Sequence, residues 1–269
     1  MRLLLTEDEN EAAELAELLD AQNRERQSVE KELFAAAEKQ IAQEFDPVTH
    51  AAIVIGARDW HTGVLGIVAS RIARKYHRPA IIVGFDDTGI GKGSGRSIEG
   101  FSLVAGLNQC SDLLEKFGGH EMAAGLTISA KNFPGFVDAF RQIAREMLSD
   151  DHLRPRLQLD HELSFSELNF DLLRWHEMLQ PFGSGNPQPL FFAREVEPVA
   201  APSVIKEKHL VLRLRQHGRT QRAIFFDGTA ETLPPPPWDI AFQIKPDEYE
   251  GLIRLQMQVH AIRKAAPIE

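Results

Sequence analysis

The sequence predicts a long N-terminal helix, then an α/β domain, then a mainly β domain built as a small barrel. Three observations support this fold class. Residues 7–44 are rich in alanine, leucine and glutamate, residues 47–150 alternate strand and helix patterns, and residues 151–269 contain several short alternating strands separated by turns. The predicted segments are therefore a connecting helix over 1–46, an α/β domain over 47–150 and a barrel domain over 151–269.

The first segment reads as one helix over residues 7–44. Thr6 and Glu9 fit a capping box, and apolar residues recur at helical spacing along the segment, although with gaps. Such a long helix has little to fold against within itself. Two interpretations remain open: a solvated strut that packs on its own domain, or a connector from a preceding domain.

The α/β segment reads as alternating strands and helices. The pattern predicts strands at 51–57, 78–85 and 123–129, and helices at 62–76, 101–117 and 133–148. The glycine-rich stretch 89–97 reads as a turn between them, and 149–156 reads as the linker to the barrel domain.

Charge and cysteine content restrict the class of protein. The net charge is −9 over 269 residues, but residues 7–44 alone contribute −8, so the rest of the chain is close to neutral. Local patches must therefore decide whether the partner is a nucleic acid. A single cysteine excludes an internal disulfide and predicts a cytoplasmic protein, and no apolar run approaches the roughly 20 residues of a membrane span.

Two glycine-rich stretches carry residues suited to phosphate. In "GIGKGSGRS", Lys92, Ser94, Arg96 and Ser97 add two cations and two hydroxyls to exposed backbone amides, a set that suits an anion. The stretch matches neither the P-loop nor the dinucleotide-binding template. On these residues alone, a glycine-rich hairpin turn is an equally good interpretation.

Two histidines are further candidates for phosphate contact. His120 follows Gly118 and Gly119 in "FGGHEMAAG", where small neighbours would let a phosphate approach an imidazole. His61 precedes a predicted helix, whose N-terminus favours anions. A structural role remains the alternative for His120, because a lone histidine is more often structural than functional.

The barrel segment carries a basic surface. Between residues 204 and 226 six cations face one acid, and the candidates for binding single-stranded DNA are Lys206, Lys208, Arg213, Arg215 and Arg222. Arg213 and Arg215 alternate with leucines, so they share the face opposite the core. Of the adjacent phenylalanines, Phe225 is taken as the platform on which a base stacks. A merely solvated face is the alternative.

Several motifs together resemble the RecJ family of bacterial exonucleases specific for single-stranded DNA. "WHTGVLGIVASRIARKY", "RPAIIV", "GKGSGRS" and "FGGHEMAAG" are similar to the accessory domain of the DHH phosphoesterase superfamily. "LLDAQNRERQ" resembles the RecJ interdomain helix, and "LQPFGSGNPQPLF" resembles the stretch entering its oligonucleotide-binding (OB) barrel. The resemblance covers essentially the whole chain and implies an accessory phosphoesterase domain followed by an OB-fold.

The resemblance also implies a reaction, the 5′-to-3′ hydrolysis of single-stranded DNA by two manganese or magnesium ions. His120 would stabilise the scissile phosphate, Gly118 and Gly119 would let it approach, and Arg96 with Ser97 would hold its oxygens. The Asp-His-His motif and the metal-binding aspartates of the family are not among these 269 residues. We therefore expect no metal bound by this chain, a metal-binding domain supplied in cis or in trans, and little cleavage by the chain alone.

A second class of function stays open at this point. The chain would then be a non-catalytic module that binds nucleic acid or docks a partner protein through the acidic helix. A small-molecule phosphoesterase is a weaker third interpretation, because such an enzyme would not need the barrel.

Overall fold

The computed structural model describes residues 2–249 and 252–265, and the chain divides into two compact units, Met1–Pro155 and Arg156–Glu269. In the described ranges no helix is long and apolar enough to cross a membrane. The elements of the first unit are α1 Arg2–Leu5, α2 Glu9–Glu44, β1 Ile53–Arg58, α3 Leu65–Tyr76, β2 Ala80–Phe85, β3 Ile90–Arg96, α4 Leu103–Gln109, β4 Lys116–Gly119, β5 Ala123–Ser129 and α5 Phe133–Met147.

The long helix α2 confirms the predicted helical segment, and its buried residues lie in its C-terminal part. Leu33, Ala37 and Ile41 are buried in a cluster that includes α3. Farther toward the N-terminus, Leu18 is 53% exposed. The predicted capping box is wrong, because the Asp8 carboxylate accepts hydrogen bonds from the first-turn amides and is the N-cap.

The sheet of the first unit has the order β1-β2-β3-β5-β4, with a single parallel pair, β1 and β2. Helices α4 and α5 contribute to the apolar cluster on one face, whereas α2 and α3 pack on the β1–β2 half of the other face and α3 also borders β3. The β3–β5–β4 half of that second face carries glycines and polar residues in place of an apolar cover.

The stretch 89–97 contains a strand, β3, so its prediction as a turn is wrong. β3 pairs with β2 on one side and β5 on the other. A Cβ added at Gly91 would lie 2.6 Å from Phe85, and one added at Gly93 would lie 2.9 Å from Leu126. The glycines therefore let the strand pack closely on the apolar core, which a local turn pattern does not reveal.

The predicted helix 101–117 is also too long. Helix α4 ends at Gln109, a 3₁₀ turn follows at Ser111–Leu113, and Lys116–Gly119 forms strand β4. β4 and β5 form an antiparallel hairpin. Helical spacing of apolar residues continues past Gln109, but pairing with β5 satisfies the backbone of the last segment and overrides that local preference.

The second unit is mainly β and has the strand connectivity of an OB-fold. Its elements are β6 His161–Glu162, α6 Phe170–Glu177, β7 Phe191–Pro198, β8 Ser203–Ile205, β9 His209–Gln216, β10 Arg219–Phe225, β11 Trp238–Tyr249 and β12 Leu252–Lys264. Five of these strands pair in the order β7-β11-β12-β10-β9, and a further pairing of β7 with β9 links the two ends. The β10–β12 pair is parallel, and the other pairs in this ring are antiparallel.

Candidate nucleic-acid interface

The outward side of β3 collects three predicted phosphate contacts. Lys92, Ser94 and Arg96 alternate with the core-facing glycines, so all three point away from the α4–α5 layer. Arg96 Nη1 donates to Ser94 Oγ at 3.1 Å and to the Gly95 carbonyl at 2.8 Å. Because Ser94 accepts in the first bond, its hydroxyl proton stays available to a ligand.

A row without side chains runs across the sheet beside Ser94. Ser94 pairs with Gly125 on β5, and Gly125 pairs with Gly118 on β4. Among the described atoms, none lies within 4 Å of a Cβ built on Gly118, and the nearest to one built on Gly125 is the Gly93 carbonyl oxygen at 3.8 Å. Gly118 and Gly125 therefore leave a strip of backbone without side chains, called the bare strip below, which a sugar–phosphate chain can approach closely.

Gly119 and His120 form the end of the β4–β5 hairpin. Gly119 has a φ of +148°, and a Cβ there would lie 2.4 Å from the Ala123 carbonyl oxygen, so only glycine fits. The His120 amide donates to that same carbonyl at 2.8 Å, which fixes the backbone of the turn. His120 is exposed, at the edge of the bare strip.

The N-terminal end of α3 borders this site. A Cβ on Gly66 would lie 3.0 Å from Arg96 Nη2 and 3.2 Å from Ser94 Oγ, so the missing side chain makes room for both groups. His61 is exposed in the turn that leads into α3, and its Nδ1 accepts from the Gly63 amide at 3.2 Å. The neutral ring therefore carries its proton on Nε2.

Ser97, which the sequence suggested as a ligand of phosphate oxygens, uses its hydroxyl within the protein. Its side chain is 9% exposed, and its hydroxyl donates to the Phe101 carbonyl at 2.7 Å. The proton of this hydroxyl is thus committed to the loop that precedes α4. Ser94 is the better hydroxyl donor to a phosphate.

Sequence reasoning missed three residues on or beside this face. Gly125 completes the bare strip, and Lys116 extends the row of Lys92 and Thr127 as a second exposed cation. Arg74 lies on α3 and lines a groove with Arg96. Strand pairing and helix packing bring these positions together. The sequence signal that could have indicated Gly125 was the run of small residues in "GGHEMAAG", but this run does not reveal which strands pair.

The barrel carries its basic residues on the outer face of β9 and β10. Leu212 and Leu214 are buried, whereas Arg213 and Arg215 are exposed on the opposite side. Arg222 on β10 pairs directly with Arg213. Arg215 is partly neutralised by Glu197 at 2.9 Å, while neither Arg213 nor Arg222 has an ion-pair partner within the described ranges.

The exposed phenylalanine on this face is Phe226, so the prediction that Phe225 offers a surface for a base is wrong. Phe225 is 3% exposed in the barrel core, whereas Phe226 is 43% exposed. The Phe226 ring packs edge-on against His209, with 5.0 Å between ring centroids. The alternation of faces required one residue inside and one outside, but it did not decide which.

Lys206 and Lys208 lie at the β8–β9 hairpin beside this face. Lys206 and Glu207 both have positive φ, and the Lys208 amide donates to the Ile205 carbonyl at 3.3 Å to close the turn. Lys208 is 3.6 Å from Asp227, an exposed ion pair, whereas Lys206 has no ion-pair partner in the part of the chain that is described. Both lysines are exposed and can approach a phosphate backbone.

A metal site is not formed by these residues. Over residues 2–249 and 252–265, no group of three or more histidine, cysteine, aspartate or glutamate side chains is arranged to hold a metal ion. The donor set on the bare strip is cationic and neutral, which suits anions and not divalent cations.

Comparison with known families and structures agrees with this architecture. Residues 46–146 match the DHHA1 domain, and residues 159–261 match the RecJ OB domain. The crystal structure of RecJ in complex with Mg²⁺ from Thermus thermophilus superposes over 100% of this chain and 40% of its own length, with a TM-score of 0.81 and 30% identity.

Curated relatives bear the name single-stranded-DNA-specific exonuclease RecJ. The Bacillus subtilis protein is 38% identical over 70% of this chain and 24% of its own length. The Haemophilus influenzae protein is 33% identical over 97% of this chain and 48% of its own length. The chain thus spans at most about half of these relatives, and it belongs to the RecJ family, in which it corresponds to the C-terminal DHHA1 and OB region.

Proposed function

We propose that this chain grips single-stranded DNA for a RecJ-type 5′-to-3′ exonuclease in DNA repair and recombination. The observation that carries the proposal is the bare strip of Gly118 and Gly125, bordered by Ser94, Arg96 and His120. A phosphodiester can approach the backbone there and meet donors at its edge. The RecJ relatives supply the nature of the polymer and of the bond that is cleaved.

Each group in the strip has a distinct role in this proposal. The Arg96 guanidinium binds a non-bridging oxygen of the phosphate, and the Ser94 hydroxyl donates to it. His120 donates a ring proton to the phosphate oxygen as negative charge develops there, and His61 and Lys92 stabilise the neighbouring charge. Gly118 and Gly119 keep side chains out of the space that the phosphate enters.

The barrel holds the remainder of the strand. The strands of this fold that correspond to β9 and β10 form the usual oligonucleotide face of an OB-fold. Arg213 and Arg222 neutralise phosphates there, and Phe226 with His209 offers a surface for a base. Lys206 and Lys208 extend the positive surface at the hairpin.

Cleavage, in this proposal, needs metal ions held by another domain. The described residues do not fit a divalent metal site. The Mn²⁺ or Mg²⁺ ions would be bound by an Asp-His-His domain, in cis or in trans. We therefore expect the 269 residues alone to bind single-stranded DNA without degrading it.

The first test is fluorescence anisotropy with a labelled oligonucleotide across a salt series, with duplex of equal length as the control. We expect the single strand to bind more tightly, with a slope of log affinity against log salt of about −0.7 for each phosphate neutralised. Equal affinity for both forms would argue against a single-strand path. Degradation in Mn²⁺ by the chain alone that is lost in His120→Ala would overturn its proposed inactivity.

A partner-docking module is the second candidate, favoured by one observation. Leu18 and Leu19 are 53% and 50% exposed on the strongly acidic N-terminal part of α2. Such a face suits a protein with basic and apolar residues. Absence of binding to either DNA form at low salt would favour this candidate over the first.

A further inference from the structure

A groove beside the bare strip has no role in the function proposed above. It encloses about 420 Å³ between one face of α3, the end of β3 and the hairpin turn that carries His120. Its lining comprises Ser70, Ala73, Arg74, His77, Arg96, Ser97, Ile98, Glu99 and Met122. Arg96 thus borders both the bare strip and this groove.

Arg74 is the cation of α3 that remains available to a ligand. Arg71 pairs with Glu30 at 3.0 Å and stacks on Phe34, and Lys75 pairs with Glu38, all on the side that faces α2. Arg74 is exposed and, in the described ranges, has neither an ion-pair nor a hydrogen-bond partner. An arginine held at the wall of a groove without a carboxylate partner is suited to an anion.

The spacing along α3 connects the two sites. Gly66, Ser70 and Arg74 follow each other at intervals of four residues within α3, so they lie on one helix face. Gly66 contacts the Arg96 and Ser94 side chains at one end of this face, and Arg74 lines the groove toward the other. These positions span about 12 Å at 1.5 Å per residue. That length exceeds a single phosphate group.

We infer that the groove binds a second phosphate of the same DNA strand, through Arg74, next to the phosphate held by Arg96. The inference rests on the proposed function, since it extends that phosphate path by one nucleotide. Met122 is 51% exposed at the groove and gives the sugar or base an apolar contact. Glu99 lines the same groove and opposes the bound phosphate, which limits the affinity of the subsite.

The test compares salt slopes for a dT₁₂ oligonucleotide among single-charge variants. Arg74→Gln should make the slope less steep by about 0.7, the share of one phosphate, and Arg96→Gln should do the same independently. Glu99→Gln should tighten binding. Lys131→Gln is the matched control, because Lys131 follows the opposite end of β5 and should leave the slope unchanged.

A second measurement separates binding in the groove from general charge loss. With ¹³C-methyl-labelled methionine, saturation with the dinucleotide pdTpdT should shift the Met122 signal and leave that of Met147, which lies on α5, in place. An unchanged Met122 signal, or an unchanged slope in Arg74→Gln while Arg96→Gln reduces it, overturns the subsite alone. No effect of Arg96→Gln would instead overturn the proposed phosphate site.

Discussion

Arg213 on β9 lies directly opposite Arg222 on β10, and neither arginine has a carboxylate partner among the described residues. In antiparallel pairs the two Cβ atoms are about 5 Å apart, so like charges at such a pair destabilise the sheet. The barrel therefore keeps an electrostatic repulsion that a bound polyanion would relieve.

We expect Arg222→Thr to stabilise the barrel while weakening DNA binding. Removing the repulsion should raise the free energy of unfolding by about 0.2–1 kcal/mol, and the loss of one phosphate contact should make the salt slope less steep by about 0.7. Urea denaturation and anisotropy measure the two effects. Arg219→Thr is the control, because Arg219 pairs with Gln216 at the hairpin turn. Weaker stability in Arg222→Thr would contradict the argument.

Gly118→Ala and Gly119→Ala form a matched pair in adjacent positions. A Cβ at Gly119 would collide with the Ala123 carbonyl at a φ of +148°, so we expect a loss of about 1–3 kcal/mol. A Cβ at Gly118 meets no described atom within 4 Å, so stability should change by less than about 0.5 kcal/mol while DNA affinity falls.

Cys110 provides the readout of stability for this pair. It is the single cysteine of the 269 residues, and burial raises the pKa of its thiol to about 11. Its labelling by a thiol reagent should therefore require opening of the first unit. Faster labelling in Gly119→Ala than in Gly118→Ala is expected. Equal rates would show that the backbone conformation at Gly119 is not restrictive.

Phe225 and Phe226 should separate stability from binding. Phe225→Ala removes a buried ring and should destabilise the barrel by about 3–5 kcal/mol. Phe226→Ala should leave stability nearly unchanged and cost about 1–3 kcal/mol of binding to single-stranded DNA. Anisotropy at constant salt, with thermal melts of both variants, measures these effects. Unchanged affinity in Phe226→Ala would remove Phe226 as a base contact.

The stability of the barrel unit should fall as the solution becomes mildly acidic. Burial lowers the pKa of His176, which is 3% exposed and packs against Phe182 and Phe191. Partial desolvation of the exposed His260 ring by its neighbours, followed by the charge of Lys245, also lowers the pKa of His260. The unfolded chain binds these protons more readily, so the stabilising contribution is complete above about pH 6.5 and decreases below it.

Urea melts between pH 7.5 and 5 test this dependence. Tryptophan fluorescence in a Trp60→Phe background reports on the barrel unit, where Trp175 and Trp238 remain. His176→Phe should flatten the pH dependence, and His260→Gln should flatten it separately. A steep dependence that persists in the double variant would assign the effect to other groups.

The sequence predicted the long helix, most strands and helices of the α/β unit, and the mainly β second unit, because these segments follow clear periodic patterns. It failed at β3 and at β4, where glycine dominates the composition. Gly93 faces Leu126 of a strand more than thirty residues away, so the reason for this glycine is tertiary and absent from the local pattern.

The candidate site was predictable by residue type and only partly by position. Arg96, Ser94 and His120 belong to the stretches that the sequence singled out, and the structure brings Arg96 against Gly66 of a third stretch. Gly125 and Arg74 emerged only from strand pairing and helix packing. The Phe225 and Phe226 alternation was correct in principle, but inside and outside were exchanged.

Strand β3 has glycines on its core side and polar residues on its other side. Close packing against the core restricts the first set of positions, whereas contact with a ligand would restrict the second. Backbone pairing with β2 and β5 fixes the positions of the Ser94 and Arg96 backbone in the sheet, and neither side chain takes part in the core packing on the other side of the strand. The outer positions can therefore be exchanged without rebuilding the interior. Substitutions at the outer positions of β3 should therefore change which ligand the domain prefers, while the core on the other side of the sheet continues to supply the stability.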